Sequence, residues 1–328
     1  MKGTGKIPAI IAGIGMMLLI FDSECALQGA KSGLELCLRS VIPSLFPFLV
    51  LSVMLISALS GTVSSAVRLL ADIIGIPRSA APVLIPAFLG GYPVGAKCVA
   101  DMYQNGIIRK QEAEHLLGFC SNAGPSFLFG IVSCFFSDGK TVIWLWLIYI
   151  MGAVCTAVIF PDNLPEGACS GDCNRIKTSQ DLMTSSLKAM AVICGWIVFF
   201  RTFISFLDKW LLWRLPEWIQ VSIIGMLELS NGCSELVRIH DIRFRFVICS
   251  CLLAFGGICV LLQTASVTRG LSLRNYITGK VIHTGFALFI SSTVFIRNGL
   301  LCALMVCICL VAVMKIKNKG RNKALYPV

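Results

Sequence analysis

The chain has 328 residues, 56% of them hydrophobic and 14% charged, with a formal net charge of +11. Ordinary soluble domains carry roughly 25% charged residues, so a water-soluble core is excluded, and the uncharged runs Thr141 to Phe160 and Phe246 to Gln263 approach the roughly 20 residues that cross a bilayer. The basic excess sits between apolar runs and in the tail Lys315, Lys317, Lys319, Arg321 and Lys323, a topological pattern that argues against a nucleic-acid partner and for the anionic lipid surface.

In chain order, Lys2 and Lys6 precede the apolar stretch Ile7 to Phe21. This resembles a signal peptide, but the chain that follows is itself multi-spanning, so residues 1–30 read as an uncleaved first transmembrane helix with a cytoplasmic N-terminus. The predicted spans are 7–21, 41–59, 116–136, 141–160, 186–207, 246–264, 281–296 and 299–314. Two further stretches, 80–97 and 219–237, are too broken for plain spans: the first holds Pro82, Pro86, Gly90, Gly91, Pro93 and Gly95, the second Glu228, Asn231 and Gly232 after Pro216. Both read as re-entrant or broken-helix hairpins, which occur at membrane depth where protein or a water-filled cavity satisfies the exposed backbone. The expected fold is an all-α polytopic membrane protein of about eight transmembrane helices plus two such hairpins.

The polar linker 161–185 divides the chain into 31–160 and 186–314, each with a span, a hairpin and two more spans, and 315–328 forms a basic cytoplasmic tail. Val41, Ile42 and Phe48 are echoed by Val192, Ile193 and Phe199 at one offset. Counting crossings makes the halves an inverted repeat, a common transporter plan. The same count puts Arg269, Arg274, Lys280 and the tail inside, as the charge rule requires, but leaves Arg238, Arg243 and Arg245 outside, against it.

The segment Leu89-Gly90-Gly91-Tyr92-Pro93-Val94-Gly95-Ala96-Lys97 lacks the Gly-Lys-Ser/Thr of a phosphate-binding loop, so nucleotide hydrolysis is rejected. Its glycines permit close backbone approach, Pro93 stops a helix, and the freed amides favour an anion, with Lys97 adding a full charge. The bland alternative is tight helix packing with Lys97 snorkelling to the interface. Ser121, Asn122 and Ser126, beside Gly124 and Pro125, place hydrogen-bonding groups inside an otherwise apolar run, either for a solute or for interhelical bonds. In the second half Glu228, Ser230 and Asn231 occupy the corresponding hairpin, and the carboxylate is a candidate for coupling to protons or sodium or for an ion pair with Lys97.

The candidate solute-binding set is therefore Gly90, Gly91, Tyr92, Pro93, Gly95, Lys97, Ser121, Asn122, Gly124, Pro125, Glu228, Ser230 and Asn231. No catalytic constellation, cofactor motif or metal site emerges: His115, His240 and His283 are isolated, most of the 16 cysteines lie in apolar runs as small hydrophobes, and the polar pair Cys169 and Cys173 lacks a completing pair.

Gly91-Tyr92-Pro93-Val94-Gly95-Ala96-Lys97, then Gly106-Ile107-Ile108, Glu112-Ala113-Glu114-His115-Leu116-Leu117 and Phe119-Cys120-Ser121-Asn122-Ala123-Gly124-Pro125, resemble the sporulation integral membrane protein YlbJ (SpoVV) family. That family falls in the Gate, or nucleoside-recognition, group, which looks related to the membrane part of the ferrous-iron transporter FeoB and to concentrative nucleoside carriers. Residues 85–135 carry the resemblance; Ser40 to Ser52 and Glu228 to Gly232 match more loosely. It implies a multi-pass cell-membrane protein of endospore formation that carries dipicolinic acid across the outer forespore membrane. Dipicolinate is a flat dianion suited to an amide cluster with Lys97, whereas a nucleoside would suit Asn122, Asn231 and Tyr92. A non-transporting scaffold of spore-envelope assembly is the competing class, and it predicts no cavity between the two halves. A homo-oligomer is compatible with either.

Overall fold

The computed structural model describes residues 6–59, 65–74, 76, 78–136, 139–159, 179–296, 299, 301 and 305. The expected tail 315–328, the linker as far as residue 178 and nearly all of the expected span 299–314 lie outside the described residues. Among the described residues every regular element is helical, and four helical stretches are long and apolar enough to cross a membrane: Ser23–Leu51, Gly139–Ile159, Ser186–Trp210 and Ile242–Val267. The protein is an all-α polytopic integral membrane protein.

The N-terminal part begins with α1 (Lys6–Phe21), and Asp22 then caps α2 (Ser23–Leu36) by accepting the Cys25 amide. A single π turn, Cys37–Val41, carries the chain straight into α3 (Ile42–Leu59), just before Pro43, which has no N–H to give a helical ladder. The span expected to start at residue 41 is thus the second part of a longer helix. Its amino-terminal half carries Glu24, Lys31, Glu35 and Arg39, charges that hide it from an apolar-run reading. Gly29 and Gly33, four apart on α2, face α10 (Ser179–Trp210): a Cβ on either would lie 2.9 Å from the Cα of Thr202 or Val198. Such a small-residue pair lets two helix backbones meet where the hydrophobic effect gives no drive for helices to associate.

Three short helices follow α3: α4 (Ser65–Ile74), then a 3₁₀ turn at Arg78–Val83, α5 (Leu84–Leu89) and α6 (Val94–Gln104). The expected break within 80–97 falls at residues 90–93, between α5 and α6. The expected plain span 116–136 is not one helix: α7 (Lys110–Leu117) ends at Gly118, residues 121–124 are extended loop, and α8 (Pro125–Gly130) leads to a 3₁₀ turn at Val132–Phe135. The cause is local, because Gly124 is extended (φ −75°, ψ 158°) and Pro125 then starts a new helix with its fixed φ.

The second half repeats the alternation of long and broken helices. A long apolar helix, α9 (Gly139–Ile159), precedes the linker and α10 follows it. Then α11 (Glu217–Leu227) and α12 (Leu229–Glu235) are separated by an extended Glu228, as the hairpin reading of 219–237 anticipates. The expected plain span 246–264 is interrupted: α13 (Ile242–Phe255) and α14 (Gly257–Val267) meet at Gly256, whose left-handed φ of +84° a side chain would strain. The last described long helix is α15 (Arg274–Thr293), which starts before the expected residue 281 and takes Lys280 into its middle.

The arginines that conflict with the charge rule have structural partners. Arg245 donates to the carbonyls of Ile239 and Phe135, and Arg238 to the Gln220 side chain at 2.6 Å and to Glu235. Arg245 thus satisfies carbonyls at the ends of two 3₁₀ turns and Arg238 ties α12 to α11 through side chains, roles independent of which side of the membrane they occupy.

Candidate solute-binding cavity

The breaks in α5–α6, α7–α8 and α11–α12 converge on one small cavity of about 40 Å³, set within about 540 Å³ of empty space that includes the part open to the outside. Its wall includes Gly90, Gly91, Tyr92, Gly124 and Ser126 from the first half, and Glu228, Ser230, Val260 and Gln263 from the second. Leu45 and Leu49 on α3 and Ile193 and Ile197 on α10 close its apolar side.

Backbone contacts made possible by glycine assemble this wall. Gly91 (φ +74°) lies against Gly124, where an added Cβ would sit 3.2 Å from the Gly124 nitrogen. Gly95 lies directly on the Cys120 carbonyl, and Gly279 of α15 on the Gly118 carbonyl, so the loop 118–124 is held between α6 and α15 with no space for a methyl group. Among the described residues no acceptor reaches the N–H of Gly91 or Gly124. Both glycines line the cavity, so two unspent donors sit at its surface.

Behind Tyr92 lies a polar layer that joins four elements. Lys280 Nζ lies 2.7 Å from the Tyr92 hydroxyl, donates to the Ser121 carbonyl at 2.6 Å, and sits 4.5 Å from the centre of the Tyr92 ring. The Tyr92 hydroxyl also reaches the Leu253 carbonyl at 3.1 Å and the Tyr149 hydroxyl at 3.3 Å. Tyr149 accepts the Ala123 N–H at 2.6 Å and donates to Asn122 Oδ1 at 3.2 Å, and Asn122 Nδ2 donates to the Phe119 carbonyl at 2.8 Å. His283 contacts the Tyr149 carbonyl at 3.0 Å. Each hydroxyl and amide in this chain has a partner, which is what fixes the break of the first half against α9, α13 and α15.

On the opposite wall, Glu228 accepts the Ser230 N–H at 3.0 Å and the Asn231 N–H and Nδ2 at 2.7 Å each. The amide cluster that starts α12 is therefore filled by the protein's own carboxylate.

No protein-family model matches the chain, and no solved structure matches it. Among curated proteins, the sporulation integral membrane protein YlbJ of Bacillus subtilis (strain 168) is 25% identical over 303 residues, covering 78% of this chain and 74% of the relative. The chain is similar to this protein over most of the length of both. It is, like that relative, an integral membrane protein.

Six of the sequence-predicted residues line the cavity: Gly90, Gly91, Tyr92, Gly124, Glu228 and Ser230. The other seven do not. Pro93, after a cis Tyr92–Pro93 bond, and Pro125 shape the helix starts, and Gly95 is a packing contact. Ser121 presents its carbonyl to Lys280, while Asn122 and Asn231 are buried behind the wall on the bonds given above. Lys97 lies on α6 with its side chain 40% exposed, 3.9 Å from Asp101, and it does not pair with Glu228, whose oxygens serve α12.

Sequence reasoning passes over Lys280, Tyr149 and His283. By sequence, Lys280 reads as a topological charge at a helix end, and Tyr149 as one apolar residue of a span. A signal is present: Tyr276, Lys280 and His283 recur at helical spacing and share one face of α15.

Proposed function

We propose that this protein transports a small anionic solute during sporulation, with dipicolinic acid as the solute and the outer forespore membrane as its site of action. The observation that carries the reading is the cavity itself, built where broken helices of both halves meet. A scaffold would have its polar residues packed against one another with no space between the halves. Broken helices at membrane depth are tolerated where they line such a cavity.

The chemistry of the walls favours an anion at one end. The Gly91 and Gly124 amides, with Lys280 behind the Tyr92 ring, offer donors, while the Glu228 oxygens are already met by α12. A carboxylate solute is thus drawn to the glycine and tyrosine side and repelled from the Glu228 side. The nucleoside alternative relies on Asn122 and Asn231 to read a base edge, and both amides are occupied away from the cavity. An arrangement of the halves as inverted repeats, the Gate-group kinship and the absence of enzymatic activity belong to the same proposal.

The test is deletion of the gene in its spore-forming host, with dipicolinate measured in purified spores. Spores of the deletion strain should lack dipicolinate while the mother cell accumulates it. Normal spore dipicolinate in the deletion strain would end this reading.

A further inference from the structure

Lys280 is the one lysine or arginine among the described residues that is buried, at 5% exposure. Its contacts are the Tyr92 hydroxyl and ring, the Ser121 carbonyl and the Tyr276 ring, and no carboxylate is among them. The ionisable groups on the elements packed around it are Tyr92, then Lys140, Tyr149 and Cys155 on α9, Arg274, Tyr276 and His283 on its own helix, Arg243, Arg245, Cys249 and Cys251 on α13, and Lys110, Glu112, Glu114 and His115 on α7. Of the two acids in that group, Glu112 accepts the Arg109 N–H at 2.7 Å at the start of α7, and Glu114 serves the Ser272 amide and Lys110. A permanently charged ammonium held here would stay buried without a counter-ion, an expensive state.

We propose that Lys280 is the proton-binding group of the cavity and takes up one proton with each anionic solute that enters. This inference rests on the transport reading above and adds the group that couples the solute to protons.

The same heavy-atom geometry serves two proton arrangements. With a neutral amine, Nζ donates to the Ser121 carbonyl and its lone pair accepts the Tyr92 O–H across 2.7 Å. When a proton adds to that lone pair, the ammonium donates to the Tyr92 oxygen instead, and Tyr92, keeping its own proton, turns it to the Leu253 carbonyl 3.1 Å away. No covalent bond changes except the new N–H, and the hydroxyl dipole reverses at the cavity wall. One carboxylate of the incoming solute supplies the missing negative charge, so the ammonium and that carboxylate form a neutral pair, while a dianion such as dipicolinate keeps its second charge. The Oγ of Ser121, the hydroxyl of Tyr276 and the Thr264 Oγ1 form a buried cluster of hydroxyls beside Lys280, at most loosely bonded to one another. They leave spare polar capacity around the amine for its second state. Glu228, which lines the cavity where Lys280 stands one layer behind it, is tied to three donors of its own helix and is not free to cycle.

Proton uptake on binding is measured directly on the purified full-length protein, by titrating dipicolinate in weakly buffered solution with a pH indicator, at a pH where the solute is fully ionised. The wild type should take up about one proton per solute bound. Lys280→Arg, which stays charged at every accessible pH, should bind dipicolinate with no proton uptake. Lys280→Met should lose both. Binding by the wild type without proton uptake, or undiminished uptake in Lys280→Arg, overturns the role of Lys280 and leaves the cavity reading standing. Absence of dipicolinate binding by the wild type overturns both. The wild-type measurement decides even if a variant does not fold.

Discussion

Glu228→Ala tests whether the carboxylate in the second-half break is first a structural cap. Its oxygens hold three donors, the Ser230 N–H at 3.0 Å and the Asn231 N–H and Nδ2 at 2.7 Å, at a residue only 2% exposed. Removing a helix cap costs about 1 kcal/mol, and each buried donor left without an acceptor adds about 1–3 kcal/mol. Individual polar contacts between membrane helices measure nearer 0.6 kcal/mol. Weighing these, we expect a loss of about 3 kcal/mol, a shift of about a hundredfold in the folding equilibrium. Glu228→Gln keeps one acceptor oxygen but turns an NH₂ toward other donors, so it should lose about half as much. The assay is thermal unfolding in detergent followed by fluorescence-detected size exclusion, with membrane abundance measured in parallel. The expected order of stability is wild type, then Gln, then Ala. If Ala matched the wild type in melting and abundance, the capping argument would be refuted.

Asn122→Ala and Tyr149→Phe should each lower stability by roughly 0.6–2 kcal/mol, because both break the hydrogen-bonded layer behind Tyr92; unchanged melting with lost uptake would instead return Asn122 to the solute. Gly95→Ala should reduce folded protein in the membrane, since its methyl group would overlap the Cys120 carbonyl and lie 3.0 Å from the Ala87 Cα, both backbone atoms; normal abundance by immunoblot would contradict that packing. Lys97→Ala should change stability by no more than about 0.5 kcal/mol and leave anion uptake near the wild-type level, since Lys97 stands outside the cavity wall; a strong loss of uptake would restore it as the solute's charge partner. The side-chain bond from Lys209, followed by the Cys25 amide, holds the Asp22 carboxyl below the usual aspartate range. That contribution is complete above the ordinary aspartate pKa and is lost as pH falls through the lowered one. Asp22→Asn should therefore abolish any acid-dependent loosening of the α1–α2 junction from the end of α10, measured by proteolysis at graded pH.

The membrane class and the broken hairpins are legible in the amino-acid sequence alone, since lipid offers no partner to backbone polar groups and a run of glycine and proline at that depth must face protein or a water-filled cavity. The breaks at residues 90–93 and at Glu228 are legible too, because Gly, Pro and a lone carboxylate act locally, within a turn or two of where they stand. Six residues that share one cavity are found in this way. What stays hidden depends on partners distant in the chain. Apolar composition alone cannot separate a straight span from one interrupted at Gly256, where the ring of Tyr92 packs on the break. Asn122 and Gly91 both stand in broken, polar stretches, yet one faces Tyr149 and the other the cavity, which only the packing of α9 settles. Lys97 and Lys280 mark the limit most clearly. Both are lysines beside apolar helices, and sequence assigns the charge to the one next to the motif; the fold sets the other, 188 residues from Tyr92 in the chain, 2.7 Å from its hydroxyl in space. Burial is a property of what surrounds a side chain, so the charge that matters to the cavity was decided by tertiary structure alone.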